Sequence, residues 1–261
     1  GELDNTLIVI SGDHGIPGIP RAKCNLYDLG TEVTLAARWP GKIKPGRVVD
    51  DFVNLLELAP TFLKAGQATV PDGMSERDLM PLFTADGSGQ VDPERDSVIV
   101  GRERHVASAR EGLLPYPQRA IRTKDFLYIR NFEPDRWPMG HPGEVTDTST
   151  PDTDKLENNT FIAFGDLDAS PTKAWVVEHR NEPENKVYFD YAFGKRPDEE
   201  LYDLRKDPDY MTNVANDQAY QEAKIKLSRE LMNTLVAEND PRVTEDPVRF
   251  EHAPYTDPFR P

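Results

Sequence analysis

The sequence predicts an α/β fold, and three patterns carry that prediction. Residues Leu7–Ile10 form a short apolar, β-branched run that is typical of a buried strand. Residues Phe52–Leu63 repeat apolar side chains at helical spacing, which indicates an amphipathic helix that Pro60 should kink or restart. Residues 119–122 and 126–130 flank a polar turn and predict an antiparallel hairpin whose exposed face is basic.

Composition limits the classes of partner. A chain of 261 residues can form one or two domains, and its net charge of −15 argues against a nucleic-acid partner. We also expect no membrane partner, because no apolar run approaches the roughly 20 residues that a transmembrane helix needs. The single Cys24 can form no internal disulfide, and a space-filling role in its loop is favoured over a reactive thiol.

The first strand leads into a cluster of polar residues. Asp13 and His14 follow it directly, and a loop rich in Gly and Pro then carries Arg21 and Lys23. Carboxylate and imidazole groups side by side suit a divalent metal, and two nearby cations suit an anionic substrate. The stretch therefore predicts half of a metal-assisted site for an anion, at the position where an open α/β sheet places its active site.

A second polar cluster follows another predicted strand. Residues Ser97–Gly101 are apolar and β-branched, and the chain then continues through Arg102, Glu103, Arg104 and His105. Taken alone, the histidine could equally be a packing or surface residue. Either arginine could bind a substrate carboxylate or pair with an acidic side chain of the protein.

The rest of the chain contains weaker signals. Residues 33–39 predict a strand, and residues 66–95 a connector with a helical patch near 79–83. Residues 131–160 form a polar insertion that either covers the site or is a simple loop. Asp217 should cap a last helix that extends to Val236, and the Pro-rich tail after it should be extended.

Several ordered motifs resemble the sulfatases of the alkaline-phosphatase superfamily, and most of all the heparan N-sulfatase type. The motifs that carry this resemblance are Asp13–Pro17, Arg21–Lys23, Asn25–Gly30 and Arg38–Gly41, and a further one, Glu199–Leu204, lies near the C-terminus. An isolated Asp-His-Gly is a weak signal, whereas this order and spacing is a strong one. The match is good over 5–65 and 197–238 and moderate over 96–132.

The resemblance implies the architecture. It is the C-terminal part of an alkaline-phosphatase-like α/β sandwich, followed by a small antiparallel sheet with one packed helix. We place the first domain at 1–112 and the second at 113–261. The strand at Glu199–Leu204 should pair with the predicted hairpin.

The resemblance also implies roles for individual residues. Asp13 and His14 would be metal ligands, with Ca²⁺ as the expected ion and Mn²⁺ or Zn²⁺ as alternatives because a histidine nitrogen suits them better. Lys23 would assist departure of the leaving group, and His105 would face the substrate. The predicted substrate-binding residues, for a sulfated carbohydrate, are Arg21, Arg102 and Arg104.

The nucleophile that the resemblance implies is not in this sequence. Such enzymes use a formylglycine made from a Cys/Ser-x-Pro-x-Arg motif, which the 261 residues lack. We therefore interpret the chain, which opens at Gly1, as the C-terminal part of an exported sulfatase whose missing N-terminal segment supplies the nucleophile and further ligands. Alone it should be inactive. The alternatives are a phosphonate or phosphodiester hydrolase of the same superfamily and a catalytically dead glycan-binding module.

Overall fold

Residues 1–252 are described by a computed structural model, in which the chain forms two compact units. Unit 1 comprises Gly1–Asp13 and Val33–Ile99, and unit 2 comprises His14–Glu32 and the residues from Val100 onward. The predicted domain boundary at residue 112 concerns the organisation of a larger protein and stays a prediction. The strands are β1 (Ile8–Ser11), β2 (Leu35–Arg38), β3 (Ser97–Arg102), β4 (Gln118–Thr123), β5 (Phe126–Asn131) and β6 (Glu199–Asp203). The α-helices are α1 (Asp28–Thr31), α2 (Leu58–Ala65), α3 (Met80–Thr84), α4 (Thr153–Asn158), α5 (Pro171–Glu178), α6 (Lys186–Phe193), α7 (Gln221–Ala237) and α8 (Pro241–Thr244).

The first predicted strand exists but is not buried. β1 pairs in antiparallel fashion with β2, with Ile8 opposite Arg38 and Ser11 opposite Leu35. The side chain of Ile10 is 65% exposed, so the prediction of a buried strand is wrong for this chain. The physical reason is that β1 and β2 form a two-stranded sheet within the described residues, and so small a sheet shields little of its own surface.

The predicted helix around Pro60 is present in a shortened form. A 3₁₀ turn at Leu55–Glu57 precedes α2, so the helix restarts at Leu58 as expected. Asn54 caps this turn, and the side chain of Glu57 accepts a hydrogen bond from the backbone N–H of Asn54 at 3.3 Å. Pro60 lies in the first turn of α2, where its missing N–H removes no intrahelical hydrogen bond.

Unit 2 contains the predicted antiparallel sheet. Its strand order is β3-β4-β5-β6, and β4 and β5 form the predicted hairpin with Arg119 opposite Arg130. β6 pairs with β5, with Tyr128 opposite Leu201, which confirms the pairing predicted for this strand. The chain thus has the predicted α/β fold with a small antiparallel sheet.

The hairpin does not present the basic face that the sequence predicts. Arg119 is buried, and its guanidinium binds Asp240 at 2.6 Å and Glu103 at 2.8 Å. Arg122 binds Asp28 at 2.8 Å. The prediction failed because acidic residues far away in the sequence approach these arginines, and local sequence patterns do not report such pairing.

The last long helix packs on the sheet. α7 lies against β4 and β5 and buries Leu227, Leu231 and Leu235, which are spaced four residues apart. The side chain of Asp217 caps the 3₁₀ turn that leads into α7, accepting the N–H of Ala219 at 2.9 Å. The predicted cap and the single packed helix are therefore confirmed.

The polar insertion contributes to the main core of unit 2. Met139, Val145 and Leu156 of the insertion are buried in a cluster with Phe164 and residues of α5 and α6, and the rings of Phe164 and Phe193 stack with centroids 4.0 Å apart. The tail after Pro241 begins with α8 instead of an extended segment, and residues 253–261 of the predicted tail lie outside the described residues. No helix in the described part of the chain is long and apolar enough to cross a membrane.

Candidate functional site

The predicted metal ligands follow β1 directly. Asp13 and His14 are both exposed, and the ring Nδ1 of His14 lies 2.8 Å from the carbonyl oxygen of Gly15. Because a carbonyl only accepts hydrogen bonds, Nδ1 is the donor in this contact, and Nε2 is the nitrogen that a metal would bind.

These two side chains do not make a complete metal site. Among residues 1–252, no group of three or more His, Cys, Asp or Glu side chains is arranged to hold an ion. Two donors are far fewer than the roughly six to eight oxygens that Ca²⁺ takes. Asp13 and His14 fit a part of a divalent-metal site, and their role stays a prediction.

Backbone hydrogen bonds within the loop that carries Lys23 hold its conformation. The N–H of Gly15 donates to the carbonyl of Gly30 at 3.1 Å, and that of Lys23 donates to Ile16 at 3.2 Å. The Nζ of Lys23 lies 3.0 Å from Oδ2 of Asp168, and both side chains are partly exposed. Sequence analysis did not identify this aspartate.

His105 lies in the same electrostatic cluster as Lys23. It follows the end of β3 and is exposed at the surface. Desolvation by neighbouring atoms lowers the pKa of His105, while the carboxylates of Asp166 and Asp168 oppose that shift and Lys23 adds to it. The charges of Lys23 and of the two aspartates thus act on His105, and the catalytic roles of Lys23 and His105 stay predictions.

Asp166 anchors the loop that carries His105. This buried carboxylate accepts a hydrogen bond from the N–H of Val106 at 2.9 Å and binds the Nη2 of Arg110 at 2.6 Å. Sequence reasoning missed Asp166 as well as Asp168. The one available signal was the alternation of acidic and apolar residues in 164–168, Phe-Gly-Asp-Leu-Asp, just after the polar insertion.

Arg102 is buried and binds the backbone. Its guanidinium donates to the carbonyl oxygens of Cys24, Pro138 and, at 3.5 Å, Tyr116. Burial lowers the pKa of Arg102 to about 10, although Asp166 nearby opposes the shift. These contacts hold the loop that carries Lys23 against the polar insertion, and the predicted contact of Arg102 with substrate stays a prediction.

The other two predicted substrate-binding arginines also have contacts within the protein. Arg104 donates to the carbonyls of Leu113 at 3.0 Å and Phe250 at 3.2 Å. Arg21 donates to the carbonyl of Tyr210, and its guanidinium lies 4.4 Å from the ring centroid of Tyr191. Their roles in substrate binding likewise stay predictions.

Cys24 follows Lys23 but is not a nucleophile in this environment. It packs against the core cluster that contains Phe164. Burial raises the pKa of the thiol to about 12, and the Coulombic effect of Arg102 only partly opposes the shift. The thiolate is therefore scarce at neutral pH, in accord with a space-filling role.

Comparisons with known proteins find relatives of this chain among the sulfatases. Residues 21–139 match the family model described as N-sulphoglucosamine sulphohydrolase, C-terminal. An ulvan-active sulfatase of Formosa agariphila is 30% identical over 91% of this chain and 39% of its own length. The human N-sulphoglucosamine sulphohydrolase is 26% identical over 93% of this chain and 44% of its own length.

Solved sulfatase structures share the fold of this chain. A protein described in complex with its substrate D-glucosamine-2-N,6-O-disulfate superposes with a TM-score of 0.57 at 20% identity, over 94% of this chain and 37% of that one. The chain thus spans less than half the length of the relatives that it matches. The homologues are sulfatases, and this chain is related to a C-terminal part of them.

Proposed function

We propose that this chain is the C-terminal part of a metal-dependent sulfatase that hydrolyses sulfate esters or N-sulfates of glycans. The observation that carries the proposal is the ion pair of Lys23 with Asp168, whose charges also act on His105, in a chain related to sulfatases along most of its length. The nucleophile, a formylglycine, and the remaining metal ligands would come from a part of the protein outside these 261 residues.

Each residue has a chemical task in this proposal. The Lys23 ammonium would neutralise the negative charge that develops on the leaving oxygen or nitrogen. His105, in its neutral form, would donate a hydrogen bond to the leaving group or to a sugar hydroxyl. Asp13 and His14 would supply a carboxylate oxygen and a ring nitrogen to a divalent cation, Ca²⁺ by resemblance, and the bound cation would polarise the sulfate oxygens.

The substrate class rests on the relatives. One relative is named as active on ulvan, and one structural neighbour binds a glucosamine with an N-sulfate and a 6-O-sulfate. We propose a sulfated carbohydrate for this protein and propose that it is exported to meet such polymers. A leader peptide in the complete gene, or its absence, tests the export.

Turnover by the full-length protein tests the reaction. We expect hydrolysis of sulfate esters or N-sulfates of glucosamine, and a loss of about 10²-fold or more in kcat/KM for Lys23→Met and His105→Asn. Lys186→Met is the matched control, because Lys186 is exposed and pairs only with Asp190 one helical turn away. Turnover of phosphodiesters or phosphonates alone would replace this proposal with the related hydrolase activity.

The metal is tested separately. Dialysis against a chelator should abolish turnover, and restoring Ca²⁺, Mn²⁺ or Zn²⁺ one at a time identifies the ion. Asp13→Asn and His14→Ala should each raise the metal concentration required for half-maximal activity. If the complete gene lacks the Cys/Ser-x-Pro-x-Arg motif and the protein binds sulfated glycans without turnover, the protein is a binding module.

A further inference from the structure

The ammonium group of Lys23 has a defined partner. Its Nζ lies 3.0 Å from Oδ2 of Asp168, and the two side chains are 21% and 32% exposed. An ion pair this open to solvent adds little to folding stability. It does, however, hold a long and otherwise flexible side chain in one conformation.

The segment that carries Asp168 is itself firmly held. On its N-terminal side, Asp166 binds Arg110 at 2.6 Å and accepts the N–H of Val106 at 2.9 Å. On its C-terminal side, Ser170 caps α5 by accepting the N–H of Lys173. Asp168 therefore lies between two residues, Asp166 and Ser170, whose side chains are held by hydrogen bonds.

The same segment also forms a hydrogen bond with the loop that carries Lys23. The hydroxyl of Ser170 donates to the carbonyl of Gly18 at 2.7 Å. Gly18 has a φ of +70°, and a Cβ there would lie 2.8 Å from the Cβ of Ser170, so only glycine permits this close approach. The loop from Gly18 to Lys23 is thus fixed to residues 168–170 at both of its ends.

We propose that Asp168 is a positioning residue that aims the ammonium of Lys23 at the leaving group. An ammonium has three N–H bonds, and the pair with Asp168 uses one of them. The geometry leaves two N–H bonds for the departing atom and a sulfate oxygen. The inference rests on the proposed function, since it takes the task of Lys23 from it.

The proposal predicts a specific kinetic pattern. Asp168→Asn removes a negative charge beside the anion site but leaves Lys23 charged, so binding of an anionic substrate should be kept or improved. The loss of orientation should appear in the chemical step instead. We expect kcat to fall about tenfold or more while KM stays constant or decreases, because misplacing one transition-state contact affects kcat rather than uniform binding.

The experiment uses the full-length protein and an N-sulfated or 6-O-sulfated glucosamine. Asp168→Glu, which keeps the carboxylate, should recover part of the lost kcat, and a merely structural residue would not show this rescue. Asp190→Asn is the control, because Asp190 forms an exposed ion pair with Lys186. An unchanged kcat in Asp168→Asn, or a rise in KM with unchanged kcat, overturns the proposal.

A second readout does not need turnover. After reductive ¹³C-methylation of the lysines, the Lys23 signal, assigned by its loss in Lys23→Arg, should show the shift of a fixed, ion-paired amine in the wild-type protein. In Asp168→Asn it should move to the position of a free surface lysine. Identical signals in both proteins overturn the positioning role, whereas absent turnover in a wild type that shows the predicted shift overturns only the proposed function.

Discussion

Lys173 shows how this protein buries a charge. The side chain is fully buried, and its Nζ donates to the carbonyl oxygens of Thr160 at 2.9 Å, Leu167 at 2.8 Å and Phe164 at 3.4 Å. One ammonium therefore satisfies three carbonyls of the segment that ends at Asp168. Burial costs the charged form, and desolvation lowers the pKa of Lys173 to about 8.

Replacement of this lysine should destabilise the protein. Lys173→Met keeps most of the side-chain volume but leaves buried carbonyls without donors, each of which costs about 1–3 kcal/mol. We expect the urea midpoint to fall by an amount equivalent to about 2 kcal/mol or more. Lys186→Met, at an exposed ion pair, should leave the midpoint unchanged. An equal, small effect of both substitutions would contradict this account.

The same lysine should give a pH signature. Its pKa is about 8 in the folded protein against 10.5 for the free side chain, so the unfolded state binds more protons between these values. Stability therefore rises with pH through this window, and below pH 8 the penalty of the buried charge is fully present. Comparison of wild type with Lys173→Met from pH 7 to 10.5 should isolate this slope, which the variant lacks.

Among the elements, β4 is joined to the C-terminal region by one arginine. Arg119 binds both oxygens of Asp240, at 2.6 and 3.0 Å, and also Glu103. Burial alone would raise the pKa of Asp240, but the hydrogen bonds from Arg119 lower it below its usual value. The cluster connects β4 to the turn at which α7 ends and α8 begins.

Arg119→Met should break this connection. Removing the cation leaves the partly buried carboxylate of Asp240 without its arginine partner, at a cost of about 3 kcal/mol, whereas Glu103 keeps its ion pair with Arg242. The cost should be present above the usual pKa of 3.8 and disappear as the pH falls through the lowered pKa of Asp240, because a protonated carboxyl no longer needs the cation. Arg229→Met, on the exposed side of α7, is the control. A penalty that persists at pH 2 would contradict the assignment.

The sequence predicted the elements that have their own local signal. The hairpin, the cap at Asp217 and the restart of α2 at Leu58 follow from alternation, capping chemistry and proline, which act over a few residues. The buried state of Arg119 could not be predicted in this way, because its partner Asp240 lies 121 residues away in the chain. Long-range ion pairs leave no periodic pattern in a sequence.

The residues of the candidate site likewise fall into those that have a local sequence signal and those that do not. Lys23 and His105 were predicted because each follows a strand within a recognisable motif, and the charge of Lys23 acts on His105 in the structure. Asp166 and Asp168 were missed because residues 163–170, which carry them, form no helix or strand. Contacts made by irregular segments depend on the completed fold.

For the whole molecule, the prediction concerns how much of a sulfatase these residues represent. The relatives are more than twice as long, and the described residues hold no complete metal site. We expect the 261-residue chain alone to bind Ca²⁺ weakly by calorimetry and to show no sulfatase turnover. The full-length protein should show both. Tight, saturable metal binding by the isolated chain would contradict the assignment of Asp13 and His14 as a partial site.

The shielded thiol of Cys24 has a practical consequence. It is the single cysteine of these 261 residues, and its pKa of about 12 makes it slow toward maleimides and iodoacetamides near pH 7. A second cysteine placed on an exposed surface, for example at Ser88, could therefore be labelled selectively without mutating the native one. A fluorophore or spin label attached there would report on the surroundings of residue 88 without disturbing the core in which Cys24 packs.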